Sequence, residues 1–531
     1  MTKGPATAER REDLEANVSL PKSPDGKWIT WLSIGLSVEA VLLNLLQLPL
    51  SLNFGFLFGD TGANITAHYL VEQGYRPTLD FGYLYGLLPL FLGRVWFGIA
   101  GATPLAYQSS MVVTSIILAV GLARFAENLG LSWTGIAFIA AALLIAIRPY
   151  YWNFAHAVEA ALLCHAIAAQ AGGRTRTALA LTTAAVFAKP SMGYFYAALL
   201  LVGAVLRMRA SGGLTLKAVE KLIVPSIVVT AVLAVLMIDV YGAIPLWHTL
   251  LPLTGARGYR MQHLGVLTQG RYFFSPPGAR PGYFLGTFAG VWILGSLWLI
   301  AAAAVCATRF IASMREHLPE DNATQMVLTC GLLQIVFVSI LFATAQSWAY
   351  YSYILVMGIA ASSKLSRQAG NVVVGLAFLS LLSQKATWQE SIREWRTTRP
   401  DPDALGLWTA PDEADEWATV RRLATGKSAT ILSCDGSAEV EFPEFRKPVS
   451  LFLITGLPTS VEIERKAAEV SSSSVVISPE FYWANFCQLP KWPEFAAALT
   501  GFRLVSNGRY FKVLSKDDNS DPHSGASAPT R

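Results

Sequence analysis

Apolar residues in this chain come in long unbroken runs, not in alternating or heptad patterns. A helix needs about 20 mostly apolar residues to cross a bilayer. Runs of that kind, or slightly shorter, occupy 28–48, 105–123, 131–148, 154–171, 177–189, 192–206, 222–241, 283–305, 324–345, 350–363 and 370–385. One more apolar stretch, 83–101, follows a polar loop closely. The runs 177–189 and 192–206 are separated only by Lys189-Pro190-Ser191, so they form either two elements or one bent unit. Proline breaks the helical ladder, and the freed backbone groups are tolerated only under cover of protein or water. The sequence has no internal repeat, so the inverted-repeat signature of many transporters is missing.

Arginine and lysine in short connections favour the cytoplasmic side. With the N-terminus inside and 83–101 not crossing, the inner segments hold Lys3, Arg10, Arg11, Lys22 and Lys27, then Arg124, then Arg174 and Arg176. They continue with Arg207, Arg209, Lys217 and Lys221, then Arg309 and Arg315, then Lys364 and Arg367. The short outer connections 149–153, 190–192 and 346–350 contain neither residue type. If 83–101 crossed, every later loop would change sides and the rule would fail repeatedly. The pattern therefore predicts a polytopic α-helical membrane protein of about eleven spans. A juxtamembrane or re-entrant helix at 83–101 lies on the outer face, and the N-terminus lies in the cytoplasm.

Composition sharpens this picture. Of the 531 residues, 53% are hydrophobic and 15% charged, against about 25% charged in soluble domains. A soluble globular enzyme is excluded, as are disordered, collagenous and disulfide-stapled classes. Residues 1–386 net +9 and residues 387–531 net −4, which marks a membrane region followed by a soluble domain. The basic balance follows from topology and gives no case for nucleic acid. Residues 1–27 are polar and of mixed charge, a cytoplasmic tail before a signal anchor and not a cleavable signal.

In the tail, 387–406 reads as a polar connector and Asp412 to Ala424 as a helix. Ser428–Cys434 and Ser474–Ser478 have strand character, and Glu462–Val470 is helical. Phe502–Val505 and Tyr510–Leu514 suggest a hairpin turning at Asn507-Gly508. A small periplasmic α/β domain over 387–514 results, with a disordered segment from 515. The five cysteines show no CxxC or CxxH spacing, so a structural zinc site is not indicated. Cys434 and Cys487 could pair in an oxidising compartment.

Two long outer loops carry the candidate chemistry, 49–104 and 242–282. In the first, Asp60 stands in Gly59-Asp60-Thr61-Gly62, just after the first span. Asp is favoured as a helix N-cap, and a cap that uses one carboxylate oxygen still leaves the other for a base. The second loop has Arg257, Arg260, Arg271, Arg280, His248 and His263 and no acid, interleaved with Trp247, Tyr259, Tyr272, Phe273 and Phe274. Such a loop suits either anionic lipid headgroups or a phosphate site, since guanidinium forks match phosphate oxygens. Arg148, Glu159 and Lys189 sit at outer membrane edges, where ionisable groups face a cavity or one another. A structural Arg148–Glu159 pair is the plain alternative. Glu39 lies inside the first span with no partner that the sequence identifies.

The first loop continues as Gly74-Tyr75-Arg76-Pro77 and Asp80-Phe81-Gly82-Tyr83-Leu84-Tyr85-Gly86. A Gly-Asp after the first span, a helix, and this Tyr/Asp/Pro stretch resemble the GT-C superfamily of membrane glycosyltransferases. That group includes protein O-mannosyltransferases and lipid A aminoarabinose transferases. The resemblance covers roughly residues 28–206 and is most specific over 58–101. Phe187-Ala188-Lys189-Pro190 looks like the family's lysine after the fifth span, and Glu159 matches its acid of the second outer loop. Beyond about residue 210 the likeness is only architectural.

The resemblance implies an inverting transfer of sugar from a polyprenyl-phosphate donor to a lipid or glycan acceptor on the periplasmic face of the inner membrane. Asp60 would be the general base. Asp80, Glu159 and His156 would orient the acceptor or an ion, with Tyr83 and Tyr85 also lining the substrate. Lys189, Arg257, Arg260 and Arg271 would hold the lipid phosphate. Many relatives carry adjacent acids where this chain has Asp60-Thr61, and Asp where it has Glu159. Those departures leave a divalent metal cofactor open. Three other readings also remain open: a transporter or flippase of lipid-linked sugars, a non-catalytic scaffold of envelope assembly, and a ligase acting on undecaprenyl-pyrophosphate glycans. The sugar, the acceptor and the oligomeric state are not written in the sequence.

Overall fold

The computed structural model describes residues 27–53, 60–83, 85–147, 154–210, 212–251, 327–328, 330–331, 352–364, 367–402, 405–433, 438–445, 460–480 and 489–516. Arg148, Arg257, Arg260, Arg271, Arg280, His263, Cys434, Cys487, the run 283–305 and nearly all of 324–345 lie outside the described residues.

In chain order the first helices are α1 (Lys27–Leu46), α2 (Asp60–Glu72), α3 (Leu87–Ala100), α4 (Pro104–Leu129), α5 (Trp133–Ala146) and α6 (Phe154–Ala171). Next come α7 (Thr175–Ala188), α8 (Pro190–Ala210), α9 (Leu216–Tyr241) and α10 (Ala243–Leu250). Then follow α11 (Ser352–Ser362), α12 (Arg367–Ser383) and α13 (Lys385–Thr397). The C-terminal elements are β1 (Arg399–Asp401), β2 (Leu407–Thr409), α14 (Pro411–Ala424), β3 (Ala429–Ile431), α15 (Ser460–Ser472), β4 (Val475–Pro479), α16 (Pro493–Ala498), β5 (Arg503–Asn507) and β6 (Phe511–Ser515). These elements group into two compact units. One holds the residues up to Ser51 together with Leu84–Arg396; the other holds Leu52–Tyr83 and the residues from Thr397.

Among its described residues the regular structure of the first unit is all helix. Among the described residues four helices, α1, α4, α6 and α9, are long and apolar enough to cross a membrane. In α9 only 6% of the most apolar window is buried, while Ile227, Val228, Val232 and Val235 are exposed. An outward apolar surface of that extent is stable only against hydrocarbon, so this is a helical membrane protein.

Local chemistry explains the helix limits. The expected run 105–123 extends to α4 because Thr103 accepts from the Ala106 N–H, Pro104 opens the helix, and Gly130 closes it in the left-handed region at φ 60°. The run expected at 222–241 starts earlier, at Leu216, where the Thr215 side chain accepts from the Ala218 N–H. The runs 177–189 and 192–206 are two helices, separated at Lys189, which is extended (φ −149°, ψ 97°). Trp96 in α3 donates its indole N–H to the Ala106 carbonyl at 3.0 Å, which ties α3 to the start of α4.

The second unit contains a four-stranded sheet in the order β3-β4-β6-β5. β3 and β4 run parallel, while β6 lies antiparallel to both β4 and β5. Leu432, Val470, Val476, Phe495, Ala498 and Leu514 form its core. The predicted strands, the helix of α14, the helix of α15 and the hairpin ending at Asn507 are all present. Two expectations are corrected. The 387–406 connector is instead the last turns of α13 followed by the β1–β2 hairpin. Ser515 belongs to β6, paired with Val475 and Arg503, and not to the tail. Glu416 explains the firm anchoring of β6, because its carboxylate accepts from the N–H groups of Arg509, Tyr510 and Phe511 at 2.8–2.9 Å.

Residues 52–83 belong with this domain. The Trp408 N–H donates to the Leu52 carbonyl at 2.9 Å, and α2 packs against a one-turn helix at Ala438–Glu441. Every residue of α2 from Thr61 to Leu70 is buried. Burial pushes the His68 imidazole down to a pKa of about 3. The folded state therefore holds His68 neutral, whereas the unfolded chain takes up a proton near pH 6.5. Stability should be level above pH 6.5 and fall as the pH drops from there toward 3. Chemical unfolding at pH 6.5 and pH 5 should show His68→Gln losing about 2 kcal/mol less than the wild type over that interval. Equal losses would contradict the buried neutral imidazole.

Candidate active site

The junction between α7 and α8 is where the charged groups converge. Pro190 has no N–H and cannot extend α7, so Lys189 leaves the helix and its ammonium reaches the second turn of α6. There the Lys189 Nζ donates to His156 Nδ1 at 2.8 Å. Glu159 Oε2 lies 3.7 Å from the same Nζ and 3.6 Å from the imidazole nitrogen. His156 and Glu159 are three residues apart on α6 and so share one face. A lysine ammonium has only donors, so the contacted Nδ1 must be an acceptor; His156 is then the neutral tautomer with its proton on Nε2. The 3.6 Å approach is accordingly not an ion pair, and Glu159 is balanced by Lys189.

Exposure divides the three roles. The Glu159 side chain is 1% exposed and that of His156 3%, while Lys189 keeps 14%. Lys189 is thus the most exposed of the three, and the two buried side chains both contact its ammonium. The Tyr85 ring stands edge-on to His156 with centroids 5.3 Å apart. Tyr107 supports the start of α6 by accepting from the Phe154 N–H at 2.9 Å. This provides a partner for one of the helix's first-turn donors.

Gly86 fixes the approach of the Tyr85 segment. Its N–H donates to the Ala188 carbonyl at 3.0 Å. A Cβ at this position would lie 1.9 Å from the Phe187 carbonyl oxygen. Gly86→Ala should therefore push 85–86 away from 187–189 and cost about 1–3 kcal/mol, as overpacking does. Thermal unfolding of the purified protein measures this, and an unchanged midpoint would contradict the close approach.

Of the residues singled out from the sequence, the structure brings together Tyr85, His156, Glu159 and Lys189. Arg148, Arg257, Arg260 and Arg271 lie outside the described residues. Asp60, Asp80 and Tyr83 belong to the second unit. Asp60 opens α2. Tyr83 is buried at 8% exposure. Asp80 Oδ2 accepts from the Arg76 backbone N–H at 2.7 Å and lies 3.4 Å from its guanidinium nitrogen. That carboxylate staples the 76–80 turn, a structural task the sequence did not reveal. Gly86 and Tyr107 were also missed as supports; the glycine was visible in the motif, but its contact with 187–188 was not.

Among the described residues no group of three His, Cys, Asp or Glu side chains could hold a metal ion. The His156–Glu159 pair does not fit one either, because an ammonium already takes the imidazole nitrogen. No chemical step is routed through a metal here.

No family model matches the sequence, and no curated protein matches it. Solved structures overlap it loosely. A crystal structure of ArnT from Cupriavidus metallidurans bound to undecaprenyl phosphate aligns with 12% identity and a TM-score of 0.42, over 93% of this chain and 99% of that one. The apo state of the same protein aligns at 14% identity and a TM-score of 0.40, with the same coverage. Overlap of this quality assigns no function.

Proposed function

We propose that this chain is an integral-membrane glycosyltransferase of the polyprenyl-phosphate-sugar type. It would act on the periplasmic face of the inner membrane on a lipid or glycan acceptor of the cell envelope. The observation that supports this most is the Lys189–His156–Glu159 cluster beside Tyr85. It collects into one place the residues that the GT-C resemblance had marked from two separate stretches of sequence. A solvent-reaching ammonium, held by a buried carboxylate and a neutral imidazole, suits a group that meets a developing phosphate charge. The cluster sits at helix ends and not in mid-span, which favours transfer over transport.

In the proposed reaction the acceptor hydroxyl oxygen bonds to the anomeric carbon as the bond from that carbon to the phosphate oxygen breaks. Asp60 takes the hydroxyl proton, and polyprenyl phosphate leaves with the electron pair. One displacement inverts the anomeric centre. Lys189, joined by Arg257, Arg260 and Arg271 of the arginine-rich loop, would stabilise the departing phosphate. Glu159 and His156 act as positioning residues for Lys189. Asp80 would serve by shaping the 76–80 turn.

The test is reconstitution of the purified protein with polyprenyl-phosphate sugars and an envelope lipid and glycan extract. Acceptor-dependent release of polyprenyl phosphate, with sugar gained by the acceptor, is the expected outcome. Movement of intact donor across the bilayer without cleavage would replace this reading with that of a flippase. Mass spectrometry of envelope glycans after gene deletion would then name the sugar and the acceptor.

A further inference from the structure

A second cavity lies at the opposite end of α7 from Lys189. Its volume is about 660 Å³, and Arg174, Arg176, Lys217 and Lys221 line it together with Met208 and Leu222. The fourteen-residue α7 has the cavity at its first turn and the Lys189 junction at its other end, roughly 20 Å from start to end along the axis. The lining includes no carboxylate. Among the described residues none of the four cations is in an ion pair.

Two further features suit an anion. The α7 helix begins at Thr175 and the α9 helix at Leu216, both at the cavity wall. Their first-turn N–H groups and the positive ends of both helix dipoles therefore face the same space. Glu220 stands between Lys217 and Lys221 on α9 but does not line the cavity; the four exposed like charges that do line it repel one another less when an anion is shared between them.

The surroundings indicate what carries that anion. Leu214 and Leu216 beside the cavity are 44% and 85% exposed. The outward face of α9 continues from them as Val224, Ile227 and Val228, all exposed and apolar. A polar cavity that opens onto an apolar helix face offers a phosphate seat above and an acyl-chain track below. Gly173, Arg174 and Thr215, which the two connections contribute to its lining, lie on the side that the arginine and lysine pattern assigns to the cytoplasm.

We propose that this cavity binds the phosphate headgroup of an anionic membrane phospholipid, with preference for a headgroup carrying two phosphates, which matches four cations better than one phosphate does. The site is separate from the transfer site and does not depend on the function proposed for it.

Native mass spectrometry and thermal unfolding of the delipidated full-length protein test this, with diphosphatidylglycerol, phosphatidylethanolamine or inorganic phosphate added singly. Diphosphatidylglycerol should remain bound and raise the midpoint, while the other two should not. Arg174→Gln with Arg176→Gln should weaken that binding at least about tenfold. Lys217→Gln with Lys221→Gln should do the same, giving a second variant if the first fails to fold. Equal binding of phosphatidylethanolamine, or undiminished diphosphatidylglycerol binding in both variants, overturns the site. Stabilisation by inorganic phosphate equal to that by the lipid overturns the lipid assignment.

Discussion

Lys189→Met is expected to lower transfer by about 100- to 1,000-fold, the usual consequence of removing a donor aimed at transition-state charge. The same change strips a buried carboxylate of its counter-charge. Glu159 is 1% exposed and pairs with Lys189 at 3.7 Å, so the single variant should also lose about 3–5 kcal/mol of stability. A loss of activity in that protein is therefore ambiguous by itself. The double variant Lys189→Met with Glu159→Gln removes the ambiguity, because it leaves no uncompensated charge. It should recover most of the stability and none of the activity. Transfer assays beside chemical unfolding check both halves. If the double variant regained wild-type turnover, the pair would be a structural ion pair and the phosphate would be held elsewhere.

Asp60→Asn is expected to cost about 100- to 10,000-fold in turnover, the range for loss of a general base. The substitution separates the two readings that the sequence left open. Asparagine caps a helix about as well as aspartate does, so a residue that only starts α2 would tolerate it. A base would not, because the amide cannot take the acceptor proton. Asp60→Ala supplies the comparison. A pure cap predicts an active Asn variant and a destabilised Ala variant, whereas the base reading predicts that both are inactive. Initial-rate measurements with saturating donor decide between them, and full activity of the Asn variant would remove Asp60 from the mechanism.

Much of the architecture was legible in the sequence because it rests on local rules. Apolar run length located the helices, and the proline after Lys189 marked the break between α7 and α8. Strand composition and the Asn507-Gly508 turn gave the C-terminal hairpin. The limits shifted where capping chemistry overruled hydropathy: Thr103 with Pro104 and Thr215 each began a helix before its apolar run. The grouping of Glu159, Lys189 and His156 was partly legible, since the arginine and lysine pattern assigns all three to run ends on the same side. Their mutual geometry was not: nothing in the spacing told that Lys189 would contact both His156 and Glu159, and the alternative Arg148–Glu159 pair falls on a residue outside the described ones. Contacts between distant segments left no mark in the one-dimensional pattern. Trp408 on Leu52 and Gly86 against Phe187 both depend on the folded chain.

The membership of residues 52–83 in the C-terminal domain sets an order on biogenesis. That segment leaves the ribosome about 300 residues before the strands it joins, an interval on the order of half a minute at typical elongation rates. Throughout it, α2 lacks its native partners, and the nascent segment must be shielded until synthesis is nearly finished. A stop codon ahead of residue 397 would deprive residues 52–83 of their folding template as well as deleting the C-terminal elements. Quality-control proteolysis of such a fragment would begin at 52–83.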